Sequence, residues 1–441
     1  MRIRVPSVKA AATLSALALL ISAAALHAGP LVPPSGPITS TYKTLTEVKP
    51  SVAINATNTP GDADSVYRIT EPGSYYLTAN IAGEVGKQGI EIATSNVSID
   101  LCGFAAIGVV GSLHGIATSA NVTGVHVRNG TISKWGGTGL HLGVTDAIAT
   151  GAIVERITST HNTVYGIVLG SNGRILDCAA TNNGSRGIFV FSNCTVTGCV
   201  AVSNTGDGIS LQSGCVVSDC SAWSNAGRGI SSTGSVTIRG CSAVGSGAEG
   251  IFAGSGGVID NCTANGNTGV GITGAINVTI RGSVSYQNDT GGFSLSTGSA
   301  ITACSAYDNT GNGYTIGNGS SIIACNARQN SVHGIQIAGS SSALNNNCAI
   351  NGDGDNGAGI VVTGSDNRIE GNNCTGADIG IHVTGAGNFI ARNTCSGNTS
   401  NWDIAASNKC LVVSGANAPA FSGNSGGVSP GSTDPNANYT Y

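Results

Sequence analysis

Arg239, Asp260 and Arg281 stand 21 residues apart in a chain of 441 residues of which only 10% are charged. Two guanidinium groups flanking a carboxylate can grip a carboxylated ligand bidentately, while Asp260, or Asp219 in the neighbouring column, holds Ca²⁺ or serves as a general acid or base. The same residues also read as an alternating-sign surface ladder, each exposed pair contributing about 0 to 1 kcal/mol and doing no chemistry. The full column runs Asp100, Arg128, Glu155, Leu176, Thr197, Ser218, Arg239, Asp260, Arg281, and the column beside it adds Arg156, Asp177 and Asp219. Arg128 and Glu155 are therefore binding candidates on the same line. A second alternating column, Arg186, Asp207, Arg228 and Glu249, has no catalytic look, so such ladders also arise for structural reasons.

Three further sets carry possible chemistry. Trp223, Tyr286 and Tyr307 share one outward column, where exposed aromatic faces can stack on sugar rings or be incidental surface aromatics. Asn351, Asp353 and Asp355, followed by Gly357, offer oxygens at alternate positions that suit Ca²⁺, although the spacing departs from an EF-hand and also reads as a polar turn. His114, His126 and His141 fall in one stretch, where any one of them can act as a base or simply occupy a turn.

What must position these residues is a repeat. A Gly followed by an apolar residue recurs from Gly166-Ile167 to Gly334-Ile335 in eight steps of 21 residues; the earlier steps, from Gly89 through Gly115 and Gly139, are longer. A second apolar column (Val154, Ile175, Val196, Val217, Ile238, Ile259), a cysteine column (Cys178, Cys199, Cys220, Cys241, Cys262) and an asparagine column (Asn162, Asn183, Asn204, Asn225) keep the same spacing. Each repeat thus holds three short strand-like segments separated by Gly/Asn/Ser turns, too short and too rich in β-branched residues for helices. The periodicity predicts an all-β solenoid of about fourteen coils, each stacked about 4.8 Å above the last in a rod about 65 Å long. Buried amides in register must be satisfied, so the asparagines are expected to form an inward ladder. Neighbouring cysteines in register have parallel Cβ vectors, a poor geometry for a bridge, so free buried thiols are expected to fill space.

Residues Met1–Ala28, with Arg2, Arg4 and Lys9 ahead of an Ala/Leu run, have the form of a secretory signal peptide. Without it the balance is 16 basic against 23 acidic residues, net −7, which argues against a nucleic-acid partner. No second apolar run of spanning length follows. The organisation expected is a leader at 1–28, an N-terminal segment and cap at 29–88, the solenoid at 89–413 and a Gly/Ser/Asn/Pro-rich tail at 414–441.

With its leader Tyr67-Arg68-Ile69-Thr70-Glu71-Pro72-Gly73-Ser74-Tyr75-Tyr76-Leu77 and the 21-residue coils, the chain resembles the pectate-lyase-like superfamily of right-handed parallel β-helices, and more narrowly the bacterial exported β-helix-repeat proteins. The resemblance covers Val66 to Ala406 and implies a single-stranded right-handed parallel β-helix, with substrate lying across the outer face of the first strand between long loops. On that reading Arg239 and Arg281 hold a uronate. The residue sets of polygalacturonases and alginate epimerases are absent: Asn204-Thr205-Gly206-Asp207-Gly208 only approximates one, and His114-Gly115 only grazes another. The longer steps between Gly89 and Gly166 are the expected wall of any groove. Two functions stay open: an exported protein that binds, and cleaves or epimerises, an acidic polysaccharide, or a non-catalytic rod at the cell surface.

Overall fold

The computed structural model describes residues 51–144, 147–352, 354, 357–414 and 438–440. The leader expected at 1–28 lies outside them, as do Asp353, Asp355 and residues 415–437 of the expected tail. Among the described residues there are fifty strands, no helix, and hence no helix long and apolar enough to cross a membrane.

The strands pair in parallel with the partner one repeat away and close into a three-faced coil. The first face contains strands such as Thr195–Thr197 and Thr279–Arg281, the second Ser221–Trp223 and Val284–Tyr286, and the third Ile188–Val190 and Ile209–Leu211. Register is one residue per column: Val196 faces Val217, Ile238 faces Ile259, and Ile188 faces Ile209. The spacing of 21 explains this directly, since a one-residue slip would turn every apolar side chain outward.

The coil has about seventeen turns, not fourteen, which lengthens the stack to about 80 Å. The extra turns lack the Gly-Ile signal. Tyr67 pairs with Ile90 and Trp402 pairs with Ile381 at the places where isoleucines stand elsewhere, and Val52–Ala53 adds a first-face strand against Tyr75 and Tyr76. The residues between Val52 and Gly89 are therefore turns of the same coil.

Three left-handed backbone positions bend most turns. Between the first and second faces the corner column reads Arg156 (φ 52°), Asp177 (52°), Gly198 (65°), Asp219 (56°), Gly240 (60°), Asn261 (52°) and Gly282 (57°). Asx residues and glycine tolerate this region best. Their alternation has a cause: a Cβ on Gly240 would lie 2.8 Å from Asp219 Oδ1, and one on Gly282 2.4 Å from Asn261 Oδ1, so each Asx side chain leaves room above it only for glycine.

Inside, columns of Ile, Val, Leu and Ala are fully buried, and each large apolar side chain contributes about 1.5 to 3 kcal/mol. The asparagine ladder is complete from Asn162 to Asn225: each Oδ1 accepts both the backbone N–H and the side-chain N–H of the residue one turn earlier, as at Asn183 to Asn204 (3.1 and 2.9 Å). The cysteines do more than fill space. Cys220 Sγ accepts the N–H of Cys199 at 3.4 Å and donates to Ser218 O at 3.2 Å. Ser283 and Asn346 take the same role in that column, accepting from Cys262 N at 3.1 Å and Cys325 N at 2.9 Å. None of the fourteen cysteines, all among the described residues, is in a disulfide.

Candidate functional site

The longer turns build the most elaborate polar structure on the outer surface. His126 and Arg128 sit on the strand His126–Ser133, paired to Val97–Asp100 below and Ile153–Thr160 above. Arg128 Nε lies 3.0 Å from Asp100 Oδ2, and its Nη1 lies 4.0 Å from Glu155 Oε1. Glu155 Oε1 also receives Arg156 Nη2 at 2.9 Å and has His126 Nε2 at 3.2 Å. Arg156 Nε donates to Asn129 Oδ1 at 2.7 Å, and Asn129 Nδ2 donates back to the Asp100 carboxylate at 3.1 and 3.2 Å. Asp100, Arg128, Glu155, Arg156 and Asn129 thus close a ring across three turns.

Burial acts to raise the Asp100 carboxyl, but hydrogen bonds from Cys102 N and Asn129 and the Arg128 guanidinium outweigh it and hold the group below its ordinary range. Glu155 is only 18% exposed, whereas Arg156 is 52% exposed. The arrangement presents guanidinium, carboxylate and amide groups in fixed positions to a polar ligand, the two cations and two carboxylates engaging one another.

Arg239, Asp260 and Arg281 occupy three successive rungs of the same face. Arg281 Nε is 3.4 Å from Asp260 Oδ1, with the arginine 58% exposed, so water screens the pair. Arg239 is exposed and makes no ion pair among the described residues. Four rungs, about 19 Å, separate Glu155 from Arg239, so the expected catalytic and binding residues form two places rather than one. Asp219 stands at the left-handed corner, its carboxylate over Gly240.

Trp223 is 55% exposed on the second face, three rungs from Tyr286. Tyr286 and Tyr307 stack on each other at 4.7 Å and 9°. Their facing surfaces are covered, while the next residues in the column, Asn265 and Arg328, flank the outer ones. Of the residues in the calcium expectation, Asp353 and Asp355 lie outside the described residues and Asn351 belongs to the ladder: it is fully buried, its Oδ1 accepts from Asn330 N and Nδ2 at 3.2 and 2.9 Å, and its Nδ2 donates to Ala327 O at 2.9 Å. A ladder amide with both atoms engaged has nothing left for a cation. Among the described residues no group of three or more His, Cys, Asp or Glu could hold a metal.

His114 and His141 stack face to face on the third side, 4.2 Å apart and 1° from parallel. Burial and the neighbouring His114 push His141 down to about 4, and burial lowers His114 as well.

The family model described as "Right handed beta helix region" matches residues 69–242 and 202–332. This chain belongs to the right-handed β-helix family.

The coil of this right-handed β-helix is similar to that of several solved structures. The A-module of the Azotobacter vinelandii mannuronan C-5 epimerase AlgE4 is 14% identical over 75% of this chain and 88% of that one, with a TM-score of 0.39. The periplasmic alginate epimerase AlgG is 12% identical over 77% and 80%, at 0.32, and the Siphovirus 9NA tailspike receptor binding domain 12% over 87% and 80%, at 0.36. These are likenesses of fold. No curated relative matches the chain.

Sequence reasoning on this β-helix missed Asn129 as the link that closes the polar ring, the stacking of His114 on His141, and the fully buried Trp135. One signal pointed to all three: the steps between Gly89 and Gly166 exceed 21 residues, and insertions are where a solenoid departs from its repeat.

Proposed function

We propose that this chain is an exported, glycan-associated β-helix that binds an acidic polysaccharide on the outer first face. The observation that carries the reading is the closed ring of Asp100, Arg128, Glu155, Arg156 and Asn129, a fixed, charge-balanced array of two guanidiniums, two carboxylates and an amide where the turns lengthen. Arg128 and Arg156 take the ligand carboxylates, and Arg239 and Arg281 extend the track along the rod. Asp260 is the candidate acid/base if the ligand is also cleaved or epimerised. A net charge of −7 after loss of the leader opposes long-range attraction to a polyanion, so binding depends on these local cations and weakens with salt.

The test is a panel of pectate, alginate and neutral glycans, with and without Ca²⁺, read for binding and for unsaturated or epimerised products. Binding to acidic glycans that falls about tenfold or more in Arg128→Ala and Arg156→Ala supports the reading; equal binding by those variants removes it. Turnover lost in Asp260→Asn makes the protein an enzyme.

A second reading, a non-catalytic rod, is favoured by the eight uninterrupted 21-residue steps, which leave the Arg239 to Arg281 track without long loops to wall a cleft. Absence of binding across the whole panel would select it.

A further inference from the structure

A cavity of about 700 Å³ opens at the corner that follows the second face, where the segment Gly108–Ser112 stands over Lys134, Gly136, His161 and Thr163. It lies on a different side of the coil from the polar ring. Its size is in the range that takes a small ligand or one to two sugar residues.

The wall is fixed. Gly86 N donates to Gly111 O at 2.8 Å, tying two neighbouring loops together, and Ser112 Oγ donates to Val109 O at 2.6 Å while accepting from Gly136 N at 3.2 Å. The floor is anchored by Trp135, whose indole is fully buried and donates to Ala106 O at 3.0 Å. A Cβ on Gly108 would lie 2.6 Å from Trp135 Cα, so glycine alone lets the wall close down on the floor.

The lining divides by chemistry. Val109 is 39% and Val110 96% exposed, an apolar surface at a loop tip that none of the described residues covers. Opposite stand Lys134 and His161, left-handed corner residues on successive rungs (φ 61° and 56°), about 4.8 Å apart along the stack. They are the ionisable residues among those lining the cavity, and no carboxylate is among them. Lys134 is exposed, with no ion pair or side-chain hydrogen bond among the described residues, and His161 Nδ1 lies 2.8 Å from Thr160 Oγ1. A fixed apolar wall facing unspent cationic and polar groups, in a chain of net negative charge, fits a ligand with one anionic group and one apolar face.

We infer that this corner cavity is a second glycan subsite, taking a single uronate residue with its carboxylate on Lys134 and its C–H face against Val109 and Val110. The inference rests on the reading of the ligand as an acidic glycan but uses none of the first-face residues. The Lys134 ammonium supplies the charge contact and Thr163 a hydroxyl partner.

The test is calorimetric binding of the methyl glycoside of a uronic acid, a probe too short to span two sites, to the full chain and to Lys134→Ala, Lys134→Arg and Val110→Asp, with the methyl glycoside of the neutral parent sugar as control. Lys134 and Val110 are surface side chains, and unchanged thermal unfolding verifies that the variants fold. The expected result is binding weakened at least tenfold in Lys134→Ala and Val110→Asp and rescued in Lys134→Arg, with the neutral glycoside at least tenfold weaker. Equal binding by wild type and Lys134→Ala, or equal binding of the neutral glycoside, overturns the subsite. Polysaccharide binding lost in Arg128→Ala alone overturns it too while leaving the first-face proposal standing; loss in Lys134→Ala alone does the reverse.

Discussion

Asn204 donates its side-chain N–H to Asn225 Oδ1 at 2.9 Å and its backbone N–H to the same oxygen at 3.1 Å. One side chain one turn away therefore satisfies two buried donors, and the next turn breaks the pattern. Ser246 replaces asparagine there, and its hydroxyl is buried without a partner. Gly229 lies against it as Gly208 lies against Asn225, so the space for an amide exists. Ser246→Asn is expected to restore the rung and stabilise by about 1 kcal/mol. Thermal unfolding reads this as a raised Tm; a lowered Tm refutes the proposed vacancy. Asn225→Leu should cost about 2 to 3 kcal/mol by leaving donors of Asn204 unpaired.

The cysteine column makes a paired prediction. Cys220→Ser should be tolerated within about 1 kcal/mol, because a hydroxyl serves at Ser283 in the same column. Cys220→Val should cost about 1 to 3 kcal/mol by orphaning the N–H of Cys199. Unfolding should be the same with and without a thiol reductant. A reductant-dependent Tm would mean the column is cross-linked.

His114 and His141 predict acid sensitivity. The unfolded chain protonates His141 near 6.5, the folded chain only near 4, because burial and the adjacent His114 oppose the charge. Between those values the unfolded state binds more protons, so this contribution is complete above pH 6.5 and is lost as pH falls toward 4. It amounts to about 3 kcal/mol. Titrating stability from pH 7 to 4.5 should show a steeper loss in wild type than in His141→Leu, and parallel curves would rule out the linkage.

Asp219 separates a corner from a catalytic role. Asp219→Gly keeps the left-handed backbone and should leave both stability and glycan binding unchanged, while Asp219→Val should destabilise by about 1 to 2 kcal/mol. Lost turnover in Asp219→Gly, with the Tm intact, would return the residue to the reaction.

The spacing of 21 residues was enough to place Val196 over Val217 and Asn204 over Asn225, because a parallel coil converts sequence period into spatial register with no further choice. The inward amide ladder and the outward Arg239, Asp260, Arg281 line were legible for that reason. Turns at the ends were not, since Tyr67 and Trp402 carry no glycine-isoleucine mark, and only pairing with an existing edge defines them. Nor could the period reveal that Asn129 links Arg156 to Asp100, that Asp219 bends the backbone, or that Lys134 and Val110 line one cavity. Those relations arise where inserted residues leave the repeat or where the backbone turns left-handed, and there position depends on how loops pack on one another rather than on distance along the chain.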